Sequence, residues 1–117
     1  MQRYIDAHDR LDPEPVIAML RDDSRLAICP MGMVWDGRDQ IVPSYRENMG
    51  AIGHFRSIAF RANREPAVAH YMRRFGETDF VAFSIAVLRF ENGSLVDFTT
   101  FAAPELFAAF GLPEIVP

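Results

Sequence analysis

The stretch from Asp79 to Phe101, DFVAFSIAVLRFENGSLVDFTTF, restricts the fold of this chain more than any other. Two runs rich in β-branched and aromatic residues flank Asn92-Gly93. That dipeptide marks a two-residue hairpin, because a primed turn needs positive φ at both central positions. So tight a turn also sets the register. The spacing predicts Phe90 opposite Leu95, Leu88 opposite Asp97, Val87 opposite Phe98 and Ile85 opposite Thr100. The first strand is apolar on both faces. Phe80, Ala82, Ala86, Leu88 and Phe90 share one; Val81, Phe83, Ile85 and Val87 share the other. A strand buried on both sides needs helices over one face and more sheet or a cavity wall over the other.

The rest of the chain supplies that cover. Tyr4, Ile5, His8 and Leu11 recur at helical spacing within Met1 to Leu11. Asp12-Pro13 starts a second short helix that turns Val16, Ile17 and Leu20 inward. Asp22-Asp23-Ser24 breaks the pattern before a short strand, Arg25 to Cys29. A loop through Pro30-Met31-Gly32-Met33 leads to Val34-Trp35, and Asp36-Gly37 opens a third helix carrying Ile41, Val42, Tyr45 and Met49. Pro43 should kink that helix or mark its true start, and Gly50 and Gly53 should end it. Phe55 to Ala62 and Ala67 to Arg73 read as strands around a turn at residues 63–66. Pro104 to Phe107 begins a short helical turn. Helices first and two hairpins after make an α+β domain with a mostly antiparallel sheet. A long twisted sheet curled around a helix leaves a conical cavity.

With 117 residues, the chain makes one domain, 1–117. Its net charge of −4 argues against direct nucleic-acid binding, which usually needs a basic face. A single cysteine, Cys29, excludes an internal disulfide and reads as a buried, inert thiol in a reducing compartment. No apolar run is long enough to span a membrane, and no secretory signal is evident, so a cytoplasmic location is expected.

Several segments resemble a known family. YIDAHDRLDPEPVIAMLRDD, VWDGRDQI and the Asn-Gly hairpin with its following Phe resemble SnoaL-like domains of the nuclear transport factor 2-like, or ketosteroid-isomerase-like, superfamily. FRANREPAVAHYMR and the tail FAAPELFAAFGLP resemble the C-terminal SnoaL-like domain of certain extracytoplasmic-function sigma factors. The resemblance implies a curved sheet wrapped around a cone, with the N-terminal helices closing one side. It also implies attached sigma domains and RNA polymerase as partners. Domains of this fold often pair through the open sheet face, which would place Phe60, Ala69 and Tyr71 in a homodimer interface.

Relatives of the ketosteroid-isomerase type use a cavity carboxylate as base and a Tyr or protonated Asp as oxyanion donor. Here the candidate bases are Asp36, His70 and Asp97. Each has a plainer reading: a turn or cap for Asp36, a hydrogen-bonded core histidine for His70, an outward edge position for Asp97. Tyr45 could aim its hydroxyl into the cone or simply pack helix against sheet. The expected lining is soft and apolar: Met31, Met33, Trp35, Met49, Val68 and Met72, with an inward set of Phe83, Ile85, Val87, Phe98 and Thr100. That register turns Asp97 away. No metal-ligand spacing, phosphate-cradling loop or nucleophile motif is present, so neither metal nor cofactor is expected. The sequence thus favours a non-catalytic regulatory or ligand-sensing domain for a small apolar ligand. The alternative is a small enzyme abstracting a proton next to a carbonyl.

Overall fold

A computed structural model describes residues 1–51 and 53–117. The chain opens with α1 (Gln2–Asp9), which buries Tyr4, Ile5, Ala7 and His8. Tyr4, Ile5 and His8 of the stripe seen in the sequence are buried, whereas Leu11 falls beyond the helix at φ of +56° and is half-buried. A carboxylate oxygen of Asp12 then accepts the Glu14 N–H at 3.1 Å, and α2 (Glu14–Ala18) follows with Val16 and Ile17 inward.

The first strand is longer than predicted. β1 (Leu20–Cys29) runs through Asp22-Asp23-Ser24. Those polar residues are tolerated because the pairing is irregular between Leu20 and Arg25. Ser24 is fully buried there, but its hydroxyl donates to the Leu95 carbonyl at 2.7 Å and accepts the Arg21 N–H at 2.8 Å. A satisfied hydroxyl removes most of the burial cost. β2 (Met33–Asp36) returns antiparallel to β1. α3 (Arg38–Asn48) begins five residues before Pro43, which lies exposed within the helix instead of starting it. Gly50 takes φ of +81° just beyond α3, whereas Gly53 opens the next strand.

β3 (Gly53–Ala62) and β4 (Glu65–Arg74) form a hairpin through Asn63-Arg64, both at positive φ. This two-residue turn is tighter than the four-residue turn expected. β5 (Phe80–Glu91) and β6 (Ser94–Phe101) join through Asn92 and Gly93 at φ +51° and +83°, the primed turn predicted. The chain finishes with α4 (Leu106–Ala109) and a two-residue strand, β7 (Ile115–Val116). The sheet order is β2-β1-β6-β5-β4-β3, with β7 on β5. The β1–β6 pair is parallel and the other pairs are antiparallel.

Two register shifts correct the predicted faces. Arg89 pairs with Asp97 but Phe90 pairs with Leu95, so Val96 is an extra residue on β6. Beyond it, Leu88 meets Phe98, Val87 meets Thr99 and Ile85 meets Phe101. The second shift lies on β5: Tyr71 meets Ala82 while His70 meets Ser84, leaving Phe83 unopposed. An extra residue inverts the alternation beyond it. Ile85 therefore joins Phe80 and Ala82 on the face away from the helices, and Ala86 and Leu88 face the helices.

The sheet separates two apolar clusters. Tyr4, Val16, Ile41, Val68, Leu88, Leu95 and Phe98 fill the concave side beneath the helices. Ala69, Tyr71, Phe80, Ile85, Phe107 and Val116 fill the other side. Ala69 and Tyr71 are thus fully buried by the chain's own tail, not exposed for a partner. The Tyr71 hydroxyl donates to the Pro113 carbonyl at 2.7 Å, and Phe60 packs edge-on against Phe110.

Candidate functional site

Between α1, α3 and the concave sheet lies a cavity of about 380 Å³. Its wall is largely apolar. Leu26 and Ile28 come from β1, Phe55 from β3 and Phe83 from β5. Met31, Met33 and Trp35 lie towards the β1–β2 hairpin, and Met49 follows α3. Met31 and Met33 are exposed, which places them at the rim. The polar lining consists of Tyr4, His8, Ser44, Tyr45, Asn48, His70, Ser84 and Thr100. No carboxylate, lysine or arginine belongs to it.

The polar groups at its inner end form a chain. The Ser57 hydroxyl lies 2.9 Å from His70 Nδ1, and His70 Nε2 lies 3.0 Å from the Tyr4 hydroxyl. His8 Nδ1 lies 2.8 Å from the Tyr4 backbone carbonyl, while its Nε2 lies 3.2 Å from the Tyr45 hydroxyl. Helical spacing explains the His8 contact, since residue 8 lies one turn beyond residue 4. The two imidazoles lie against each other at a 36° tilt with centroids 4.7 Å apart, and Phe55 meets His70 edge-on at 5.5 Å. Burial pushes His8 down to about 4. Burial, reinforced by His8, holds His70 well below the ordinary histidine range. Burial also raises both phenols, Tyr4 and Tyr45. All four groups are therefore uncharged at neutral pH.

The candidates from sequence divide clearly. Met31, Met33, Trp35, Tyr45, Met49, His70, Phe83 and Thr100 line this cavity. Val68 and Phe98 face the same side but are packed within the core beneath the helices. Met72 is buried outside the lining. Ile85 and Val87 were expected inside, but they border a groove on the opposite face with Thr99, Phe101 and Phe110, because the Phe83 bulge inverts their direction. Asp36 is exposed at the end of β2, and Asp97 sits on β6 across from Arg89. Neither carboxylate reaches the cavity. His70 does, but as a hydrogen-bonded core histidine. Cys29 is half-buried and lies outside the cavity lining.

Sequence reasoning missed Tyr4, His8, Ser57 and Ser84. Tyr4 and His8 were visible as one buried helical stripe, but nothing in their spacing says what they face. Among the described residues, no three His, Cys, Asp or Glu side chains gather to hold a metal ion.

No protein-family model matches the sequence, and no curated protein does. Solved structures do match the fold. A protein from Mesorhizobium loti, described as NTF2-like and of unknown function, shares 16% identity at TM-score 0.72; 88% of this chain and 87% of that one align. The fold is nuclear transport factor 2-like. An NTF2-like protein of unknown function from Burkholderia xenovorans is 16% identical at TM-score 0.67, with 93% and 88% of the two chains covered. A hypothetical protein with a ketosteroid isomerase-like fold from Catenulispora acidiphila, solved with trimethylamine, is 17% identical at TM-score 0.64, covering 96% and 92%. Such likeness carries the architecture and not the chemistry.

Proposed function

We propose that this chain is a non-catalytic, ligand-sensing domain that holds a small, uncharged, largely apolar molecule in its cone. The observation behind it is the lining: soft apolar side chains, neutral hydroxyls and neutral imidazoles, without a charged group. A site of this size and character suits ligand binding. A proton-abstracting enzyme needs a base of adequate strength. Asp36 and Asp97 lie outside the cavity, and burial makes His70 a weak base.

The regulatory setting is inferred from the resemblance to sigma-factor extensions. Within it, the domain modulates the activity of an attached sigma factor at transcription initiation. The two segments carrying that resemblance meet in space. Phe60 of the first packs on Phe110 of the second, and Tyr71 bonds to Pro113. Those contacts are the reason the two segments are read together.

The test has two parts. Trp35, the single tryptophan, lines the cavity and reports occupancy by fluorescence. Neutral apolar compounds should shift its emission and raise Tm, while charged analogues should not. Proton NMR of bound carbonyl compounds in D2O should show no enhanced exchange beside the carbonyl. Exchange that disappears in His70→Phe would replace this reading with the enzymatic one. For the regulatory setting, a reading frame without sigma domains upstream would count against it.

A further inference from the structure

The hydrogen bonds around Tyr45 determine which way its hydroxyl can act. The Tyr4 backbone carbonyl can accept but never donate. His8 Nδ1, 2.8 Å away, must therefore carry the imidazole proton. A neutral imidazole has one N–H, so His8 Nε2 is a bare acceptor. The Tyr45 hydroxyl, 3.2 Å from Nε2, supplies the hydrogen. A phenol has one proton, and this one is committed. What Tyr45 offers the cavity is oxygen lone pairs.

The neighbouring polar groups do not offset this polarity. Tyr4 is engaged with His70 Nε2 at 3.0 Å, and His70 Nδ1 with Ser57 at 2.9 Å. If the Tyr4 hydroxyl turns towards Tyr45, it fills one lone-pair direction and leaves the other. Asn48 Nδ2 is engaged with the Ser44 carbonyl at 2.9 Å and hydroxyl at 3.2 Å. Ser44, Thr100 and Ser84, the last 97% buried, also line the cavity. Their hydroxyls rotate, donating or accepting as needed. They serve a ketone and an alcohol alike, so they do not discriminate. Tyr45 does.

We propose that the cavity selects an apolar alcohol over the ketone of the same skeleton, because Tyr45 faces the ligand as a hydrogen-bond acceptor. This rests on the reading of the cavity as a ligand site. An alcohol donates to Tyr45 and can still accept from Ser84 or Thr100. A ketone accepts only, and it displaces any water that donates to Tyr45 without replacing that bond. This polarity is opposite to that of a site built to stabilise a developing oxyanion, which must present donors.

The test uses two pairs, borneol with camphor and 2-decanol with 2-decanone, titrated against the full chain by Trp35 fluorescence. Each alcohol should bind about fivefold to tenfold more tightly than its ketone, the effect of one neutral hydrogen bond. Tyr45→Phe should bring the ratio to about one while the ketone affinity stays within about twofold. His8→Ala frees the phenol proton and should shift preference towards the ketone. Ketones binding as well as the alcohols to the unmodified chain would overturn the proposal and leave the ligand-site reading intact. Failure of all four to bind would overturn both. Nitrogen chemical shifts of His8 give an independent check: a proton on Nε2 instead of Nδ1 refutes the proposal whatever the affinities.

Discussion

At the scale of single residues, the buried histidine pair links stability to pH. His8 titrates near 4 in the folded protein against 6.5 when unfolded. Between those values the unfolded chain binds a proton that the folded chain excludes. Stability is therefore complete above about pH 6.5 and falls as pH drops towards 4. For His8 alone the loss is roughly 3 kcal/mol, since each pKa unit is about 1.4 kcal/mol. His70 shifts in the same direction and adds to it. Asp9 opposes it: its carboxyl sits above the usual range, so its own contribution favours folding as pH falls through that range. Being exposed, it offsets little. Urea unfolding at pH 8 and pH 5 should show a midpoint decrease at constant slope. An unchanged midpoint would mean that the imidazoles are accessible to solvent and protonate freely in the folded state.

At the scale of elements, the turns behave as their dihedrals dictate. Asn92-Gly93 and Asn63-Arg64 are both two-residue turns with positive φ throughout. Arg64 holds φ of +70°, a conformation that costs an ordinary residue about 1 kcal/mol. Arg64→Gly should stabilise the protein by roughly 0.5–1 kcal/mol, since its carbonyl still accepts from Arg61 Nη1. Two other glycines separate space from strain. Gly93→Ala meets open space but keeps φ of +83°, so it should cost about 1–2 kcal/mol. An added Cβ at Gly53 would stand 2.2 Å from the Arg73 carbonyl oxygen, backbone that cannot swing aside. Gly53→Ala should cost more than Gly93→Ala, and thermal melts of the two variants decide the order.

These same elements show how far the sequence was readable. Local chemistry marked the Asn92-Gly93 turn, the buried stripe of α1 and the alternation of β4. What spacing could not show was where alternation fails. Val96 and Phe83 carry no chemical mark that distinguishes a bulge from regular strand, yet they decide which way Ile85 and Val87 point. The cavity was legible as a set of soft residues around Met31, Trp35 and Met49. Of its polar end, Tyr45 and His70 were readable as candidates, but Tyr4, His8 and Ser57 were not, because they come from α1 and β3 and meet the other two only once the sheet curls. β7 has two residues, too few for any periodicity.

At the scale of the whole molecule, one sheet serves two cores. Helices close the concave side around the cavity, and α4 with β7 closes the other. Phe107 anchors that second side: it is 1% exposed and meets Tyr71 edge-on at a centroid distance of 5.1 Å. Truncating a buried phenylalanine removes transfer energy and leaves a void, together about 3–5 kcal/mol. Phe107→Ala should therefore lower the unfolding free energy by that amount, a large share of the roughly 5–15 kcal/mol available to a domain. Tyr71 is the residue through which the loss could reach the cavity, for it lies next to His70 on β4. Adjacent strand residues point to opposite faces, however, and His70 is held on its own side by Ser57 and Tyr4. Sites without shared partners combine additively. At a temperature where the variant remains folded, borneol affinity should stay within about twofold of the unmodified chain. A larger loss of affinity alongside the loss of stability would show that the tail sets the curvature of the sheet, and with it the shape of the cavity.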